Sequence, residues 1–169
     1  MNIQIIDRHH FGENGLDAFD RRQVVENTYV LKEGALELVH RPFIKDWPEE
    51  RRRSRTEDIR SGKYITYGVI QEEMLVGFIM LVPELDHERM IVEYFAVSAH
   101  MRRQGIGRAL FEKAKEEARE RGAKALYISA CPAEETIRFY RAMGCEVSTS
   151  PIQKYAEKEP LDIQMECKI

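Results

Sequence analysis

The first regular signal along the chain is the alternation N-I-Q-I-I-D over residues 2–7, which predicts a short strand. Residues 17–60 carry no clean period and read as helix-prone but interrupted. Asp17 is a candidate cap for a helix through Phe19, Val24 and Val25. The run Ala35-Leu36-Glu37-Leu38-Val39 after Gly34 stays open in type, and Pro48-Glu49-Glu50 reads as a helix start. From residue 64 the texture changes. Tyr64-Ile65-Thr66-Tyr67-Gly68-Val69-Ile70 is rich in β-formers, Gln71-Glu72-Glu73 makes a turn, and residues 74–82 return as a second strand. Residues 90–97 complete an antiparallel meander.

A helix follows a glycine loop. Leu110, Ala114 and Ala118 recur at i, i+4 and i+8, opposite a charged face of Glu112, Lys113, Lys115, Glu116, Arg119 and Glu120, and Gly122 closes it. Residues 124–131 then read as a buried strand, so strand, helix and strand form a βαβ unit whose two strands are parallel. Pro132 opens a second helix over 133–143, closed by Gly144. Residues 145–147 begin a strand, 151–160 are an irregular excursion, and Asp162-Ile163-Gln164-Met165-Glu166 alternates as a last strand. No repeat, low-complexity tract or linker divides the chain, and its 169 residues suit one domain.

Composition narrows the partners. The net charge of -3 argues against a general nucleic-acid binder, which makes any basic cluster a local feature. Arg51, Arg52, Arg53 and Arg55 accordingly read as a solvated helix face. No apolar run approaches a membrane span and no signal-peptide pattern opens the chain, so the expectation is a cytoplasmic protein. Cys131, Cys145 and Cys167 lack metal-ligand spacing and read as free thiols. His9 and His10 have no third ligand at a plausible spacing, so no metal is expected. Trp47, between Pro42 and Pro48, is either a core anchor or part of a substrate wall.

The candidate chemistry lies in Arg102-Arg103-Gln104-Gly105-Ile106-Gly107-Arg108, where two glycines and three arginines open a helix directly after a strand. Helix N-termini offer unpaired amides and the positive end of the dipole, and glycine lets successive amides form an anion nest. The Walker pattern is absent, and the dinucleotide G-x-G-x-x-G would need a third glycine where Leu110 stands. What remains is Arg102-x-x-Gly105-x-Gly107.

That pattern, on this order of elements, resembles the Gln/Arg-x-x-Gly-x-Gly/Ala pyrophosphate loop of the GNAT acetyltransferase superfamily. Ile137-Arg138-Phe139-Tyr140-Arg141-Ala142-Met143-Gly144-Cys145 is similar to the family's F-Y-x-x-x-G-F segment. The resemblance covers residues 64–169, and the N-terminal third matches in layout only. It implies one GNAT domain over 1–169 with a mixed α/β (α+β) fold: an N-terminal antiparallel meander, a βαβ acetyl-CoA-binding unit, and a C-terminal helix plus strands. Residues 64–147 would be the acetyl-CoA-binding core and 20–63 the variable acceptor-side helices.

The resemblance further implies acetyl-CoA as cosubstrate and direct transfer to an amine of a small molecule or peptide. A bulge in the strand before the loop would splay it from its parallel neighbour, and the pantetheine arm would pair with Phe95, Ala96 and Val97. The amides of Arg103, Gln104, Gly105, Ile106, Gly107 and Arg108 would wrap the pyrophosphate, with Arg102, Arg103 and Arg108 available to its outer oxygens. Tyr140 matches the family's general acid, with Phe139 beside it. Where many relatives carry Asn this chain has Ala133, for which Thr136 is the candidate substitute. Glu93 is the candidate base, since strand parity puts it with Phe95 and Val97; its other reading is a cross-strand partner for a basic side chain. Cys131 reads as a small buried residue rather than a nucleophile. The runner-up to an N-acetyltransferase is a silent acyl-CoA-binding sensor. The acceptor would be set by 20–63, 83–88 and 150–160, and homodimerisation is common among relatives.

Overall fold

The computed structural model describes residues 2–9, 11–12 and 15–169; His10 of the histidine pair lies outside them. In chain order they form β1 (Gln4–Ile5), β2 (Gln23–Lys32), β3 (Ala35–Lys45), α1 (Glu49–Arg60), β4 (Ile65–Gln71), β5 (Met74–Leu81) and β6 (Arg89–Val97). After these come α2 (Ile106–Glu120), β7 (Ala125–Ala130), α3 (Glu134–Ala142), β8 (Cys145–Val147), α4 (Gln153–Lys158) and β9 (Ile163–Lys168). One seven-stranded sheet runs in the order β1-β4-β5-β6-β7-β9-β8, and β2 and β3 pair apart from it. Within the large sheet only β6 and β7 are parallel, as the helix between them requires. The expected α/β architecture of meander, βαβ unit and C-terminal elements is what the chain adopts.

The segment 20–63 departs from the helices expected there. Residues 23–45 are a long β-hairpin, and Asp17, read as a helix cap, sits in a turn. Two features decide this. Val24, Val25, Thr28 and Val30 are β-branched and lose rotamer freedom in a helix. Glu33 and Gly34 both take positive φ, 49° and 82°, the two-residue turn whose twist suits a hairpin. Only the last part of the segment is helical, with α1 starting behind Pro48 as predicted.

Two layers cover the sheet. On one face α2 packs Ile106, Leu110, Phe111, Ala114 and Ala118, each at most 1% exposed, against Ile79, Leu81, Met90 and Val92. Each Leu or Phe buried this fully contributes about 1.5–3 kcal/mol. Tyr67 on β4 donates its hydroxyl to the buried Glu117 carboxylate (2.6 Å), which also accepts from Arg121 (2.5 Å) and so keeps partners for its charge inside the protein. On the other face Phe19, Trp47, Ile59, Phe78 and Met80 form a second core. Trp47 is 5% exposed, stacked 5.8 Å from Phe19 and edge-on to Tyr94 at 5.5 Å, so it is a core anchor. The arginine run on α1 is mostly tied to its own protein. Arg53 pairs with Glu49 (2.8 Å), Arg52 donates to the carbonyls of Trp47 and Asp17, and Arg55 pairs with Asp58 while lying 4.3 Å over the Tyr94 ring. No helix among the described residues is long and apolar enough to cross a membrane.

The β4–β5 turn carries a testable strain. Glu72 and Glu73 are both left-handed, at φ 48° and 63°, with no glycine to relieve the Cβ clash. Replacing the pair with Asn-Gly is expected to stabilise the protein by about 1 kcal/mol. The measurement is the urea midpoint at unchanged m-value; a midpoint that stays put or falls contradicts the strain.

Candidate functional site

The site begins where two parallel strands part. β6 and β7 pair from Arg89↔Ala125 to Val92↔Ile128 and then separate. Each keeps its other neighbour: β6 continues on β5 through Phe95↔Ile79 and Val97↔Gly77, and β7 on β9 through Ser129↔Gln164 and Ala130↔Ile163. The register of β6 on β5 slips by one residue, from Leu81↔Val92 to Met80↔Tyr94, so Glu93 is the extra residue of a bulge. A wedge opens beyond it, and the edge of Phe95, Ala96 and Val97 facing β7 has no strand partner. A cavity of about 560 Å³ fills the wedge.

The bulge also resets which way side chains point. Met90 and Val92 before it, and Phe95 and Val97 after it, belong to the α2-side core, whereas Glu93 turns to Tyr155 in the cluster of Ile91 on the other face. Glu93 therefore does not share a face with Phe95 and Val97 as unbroken parity would have it. Its carboxylate accepts from the Tyr155 hydroxyl (3.0 Å) and lies 3.7 Å from the Lys158 ammonium, and it still lines the cavity. Glu93 and burial together push the Tyr155 phenol upward, burial being the larger cause, so Tyr155 stays a donor.

At the other end of the wedge the loop before α2 is shaped as an anion nest. Arg103 and Gly105 are both left-handed, at φ 62° and 83°. A Cβ on Gly105 would meet nothing within 4 Å, so glycine is needed there for its conformation and not for space. The first helical bond of α2 is Ala109 N–H to the Gly105 carbonyl (3.0 Å), which leaves the amides of Ile106, Gly107 and Arg108 without helical acceptors. Gly107 is different: a Cβ there would touch Phe95 and Phe139 at an ordinary 3.5 Å.

The loop side chains meet the cavity unequally. Arg102 lines it but is already engaged with the fold, because its Nε donates to the Val97 carbonyl (3.1 Å) and its Nη2 to that of Arg21 (3.2 Å). Burial, with Arg21 nearby, lowers its pKa. It ties the loop to the end of β6, leaving Arg103 and Arg108 as cavity cations with no ion pair among the described residues. The Gln104 side chain turns outward to the His100 carbonyl (3.3 Å), and the Ile106 side chain is 1% exposed in the core. Neither side chain lines the cavity, so only their backbone amides remain in the loop.

Between the two ends an aromatic floor carries the group expected to act as acid. Tyr140 on α3 is 6% exposed, lines the cavity, and packs against Phe139, Phe111 and Phe95 with ring centroids at 5.4, 5.7 and 6.4 Å. Its hydroxyl has no hydrogen-bond partner among the described residues. Burial, then the charges of Cys145, Asp162 and Cys131, push its pKa far above the ordinary phenol value. Thr136 also lines the cavity, but its Oγ1 accepts from Gln23 Nε2 (3.2 Å), a side chain that also donates to Glu135 (2.8 Å). Cys131 lies half-buried on the wall.

Sequence reasoning missed several further wall residues, Arg21 and Asp162 among them. Arg21 reaches in just ahead of the hairpin. Asp162 stands across the cavity, accepting from Ser129 Oγ (3.1 Å), which accepts from Gln164 Nε2 (2.9 Å), whose Oε1 accepts from Tyr127 (2.6 Å). Burial raises the Asp162 pKa against the opposing pull of Lys45 and Ser129. The signal available was the alternation of 162–166; nothing local in it marks the first residue as a cavity carboxylate. No group of three metal-ligating side chains comes together among the described residues.

Comparison with known proteins agrees with this geometry. Solved structures with similar folds include nourseothricin acetyltransferase, with 22% identity, TM-score 0.70, and 99% of this chain and 97% of that one covered. A protein assigned as a streptothricin acetyltransferase from Bacillus anthracis, in complex with acetyl coenzyme A, is 18% identical at TM-score 0.71 over 100% and 99% of the two chains. An aminoglycoside 6'-N-acetyltransferase complexed with coenzyme A is 18% identical at TM-score 0.55 over 72% and 83%. No protein of curated description matches the sequence. The model of the acetyltransferase (GNAT) family matches residues 32–145, spanning the bulged strand, the nest and the Tyr140 helix, and the chain belongs to that family.

Proposed function

We propose that the protein is an N-acetyltransferase that moves the acetyl group of acetyl-CoA directly to a primary amine of a small molecule or peptide. The observation carrying this reading is the wedge itself: a strand edge without a partner runs from an anion nest past an unpaired, protonated phenol to a carboxylate. Similar folds that bind acetyl coenzyme A or coenzyme A support the donor, and the aminoglycoside 6'-N-acetyltransferase among them supports an amine acceptor.

The pyrophosphate sits on the amides of 103–108 beside Arg103 and Arg108, where amide donors and the helix dipole favour negative charge. The pantetheine arm pairs with the open edge of Phe95, Ala96 and Val97. A backbone amide of that edge stabilises the thioester oxygen as it gains charge. The amine attacks the carbonyl carbon, the new C–N bond forms, and the C–S bond then breaks. Tyr140 gives its proton to the departing thiolate. Glu93 receives the proton the ammonium must lose before it attacks, directly or through water; the second proton, shed as the amide forms, passes through water to the Tyr140 phenolate, and Glu93 then releases its proton to solvent. Burial keeps Tyr140 protonated, so it enters the reaction as a donor.

Release of CoA thiol from acetyl-CoA, followed across a panel including nourseothricin, kanamycin, spermidine and a lysine peptide, tests the reading. Tyr140→Phe is expected to lower kcat by about 10²-fold with the acetyl-CoA KM little changed. Glu93→Gln should lower kcat/KM by a similar factor. Wild-type rates in both variants would sink the assignment of acid and base. CoA binding without thiol release on any amine would instead make the domain an acyl-CoA-binding module.

The phenol's environment has a separate consequence. An unfolded tyrosine ionises near about pH 10, while native Tyr140 holds its proton well above that. Above about pH 10 the unfolded state has released a proton that the native state keeps, so stability is unaffected below that pH and falls as pH rises past it. Tyr67, Tyr127 and Tyr155 add to the fall, since burial raises each of them. Urea midpoints between about pH 9 and about pH 11 should drop more steeply in the wild type than in Tyr140→Phe. Equal slopes would contradict the burial of the phenol.

A further inference from the structure

A second cavity, of about 630 Å³, adjoins the wedge, and neither the thioester nor the pyrophosphate accounts for it. The hairpin roofs it with Thr28, Val30 and Phe43, and the C-terminal part of the chain walls it with Val147, Leu161 and Ile163. The two cavities meet at Lys45, Cys131, Glu159 and Asp162, which line both. Its volume lies within the roughly 300–1,000 Å³ typical of small-molecule sites.

The cavity is held open by how the hairpin is attached. A two-stranded hairpin is marginal by itself. This one is fixed along β2 by Tyr29 N–H to the Pro132 carbonyl (2.8 Å), Asn27 Nδ2 to Glu134 (2.8 Å) and Gln23 Nε2 to Glu135 (2.8 Å). Those ties fix the hairpin to the start of α3, and the space between it and residues 147–163 stays unfilled. Thr28 borders that space, but its hydroxyl is shut off from it, buried and without a partner among the described residues.

The charges are unevenly placed. Among the described lining residues, carboxylates occur only at the junction, where Glu159 and Asp162 stand with Lys45 and outnumber it two to one, and Arg41 is the cation at the exposed outer part. Between them the walls are apolar or neutral. A second positive charge would meet Arg41 with no acid to pair it, and a wholly polar body would leave Val30, Phe43 and Leu161 against it.

The geometry points to the second cavity as the binding site for the acceptor: a primary amine with a single positive charge on a partly apolar body. The body lies under the hairpin, and the ammonium meets Asp162 and Glu159 before entering the wedge. This rests on the acetyl-transfer reading. It separates recognition from chemistry, with Asp162 and Glu159 gathering the amine and Glu93 and Tyr140 exchanging its protons. The connection 83–88, expected to help choose the acceptor, lines neither cavity.

The probe is CoA whose sulfur carries an acetamide of tyramine, so that a hydroxyaryl body extends from the thioester position; binding is measured by calorimetry beside CoA itself. The conjugate is expected to bind at least about 10-fold tighter than CoA. Val30→Trp and Leu161→Trp should each erase that gain and leave CoA affinity unchanged. Leu161 is 70% exposed, so its replacement does not endanger folding. No gain, or a gain that survives both variants, overturns the second cavity as acceptor site while the acetyl-transfer reading stands. Failure of CoA itself to bind overturns both.

Discussion

One extra residue in one strand is what the rest of the site depends on. With Glu93 bulged, β6 keeps its pairing to β5 while its other edge parts from β7 after Val92↔Ile128. An open strand edge inside a protein is costly, because each orphaned amide or carbonyl has given up water. It persists here because neither strand can close the gap without leaving its other neighbour. Phe95, Phe111, Phe139 and Tyr140 fill the face below, so the wedge cannot collapse from that side either. What is left is a slot whose unsatisfied groups suit an extended, amide-bearing ligand arm.

The charges then sort themselves along the slot. Arg102 is spent on the fold, and its bonds to the Val97 and Arg21 carbonyls fix the loop at one end of the wedge. With the loop fixed, Arg103 and Gly105 take left-handed backbone, and Arg103 and Arg108 line the cavity with no ion pair among the described residues. Carboxylates stand at the opposite end, Glu93 held by Tyr155 and Asp162 by Ser129. Tyr140 sits between, and its protonation follows from burial more than from any single neighbour. Arg103 and Arg108 thus stand at one end of the cavity, and the carboxylates of Glu93 and Asp162 at the other.

The half of the site that was legible in the sequence is the half built from neighbouring residues. The strand, loop and helix from residue 89 to 120 carry their own punctuation, and the elements from 64 to 147 fall within a residue or two of where period and glycine put them. The hairpin was not legible. β3 is exposed on both faces along most of its length, so no burial period marks it, and the Glu33-Gly34 turn is weaker punctuation than Asn-Gly. Parity misassigned the face of Glu93 for a physical reason, since a bulge erases the period that parity counts. Asp162 was missed because the residue that holds it, Ser129, is 33 positions away and the burial that shifts it is tertiary.

That division has a mechanical counterpart. The donor half is a packed core, where Leu110, Phe111 and Ile137 are fully buried and any shift of a helix would be felt across the sheet. The second cavity is assembled from 23–45 and 147–164 with the Cys131–Pro132 turn, segments far apart in the chain and joined to the body by side-chain hydrogen bonds such as Gln23–Thr136 and Asn27–Glu134. Few buried apolar contacts and many polar ties mark the low-stability end of a fold, where local opening comes easily. Thr136 is where the two halves touch, giving one face of its helix to the donor wedge and its hydroxyl oxygen to the hairpin.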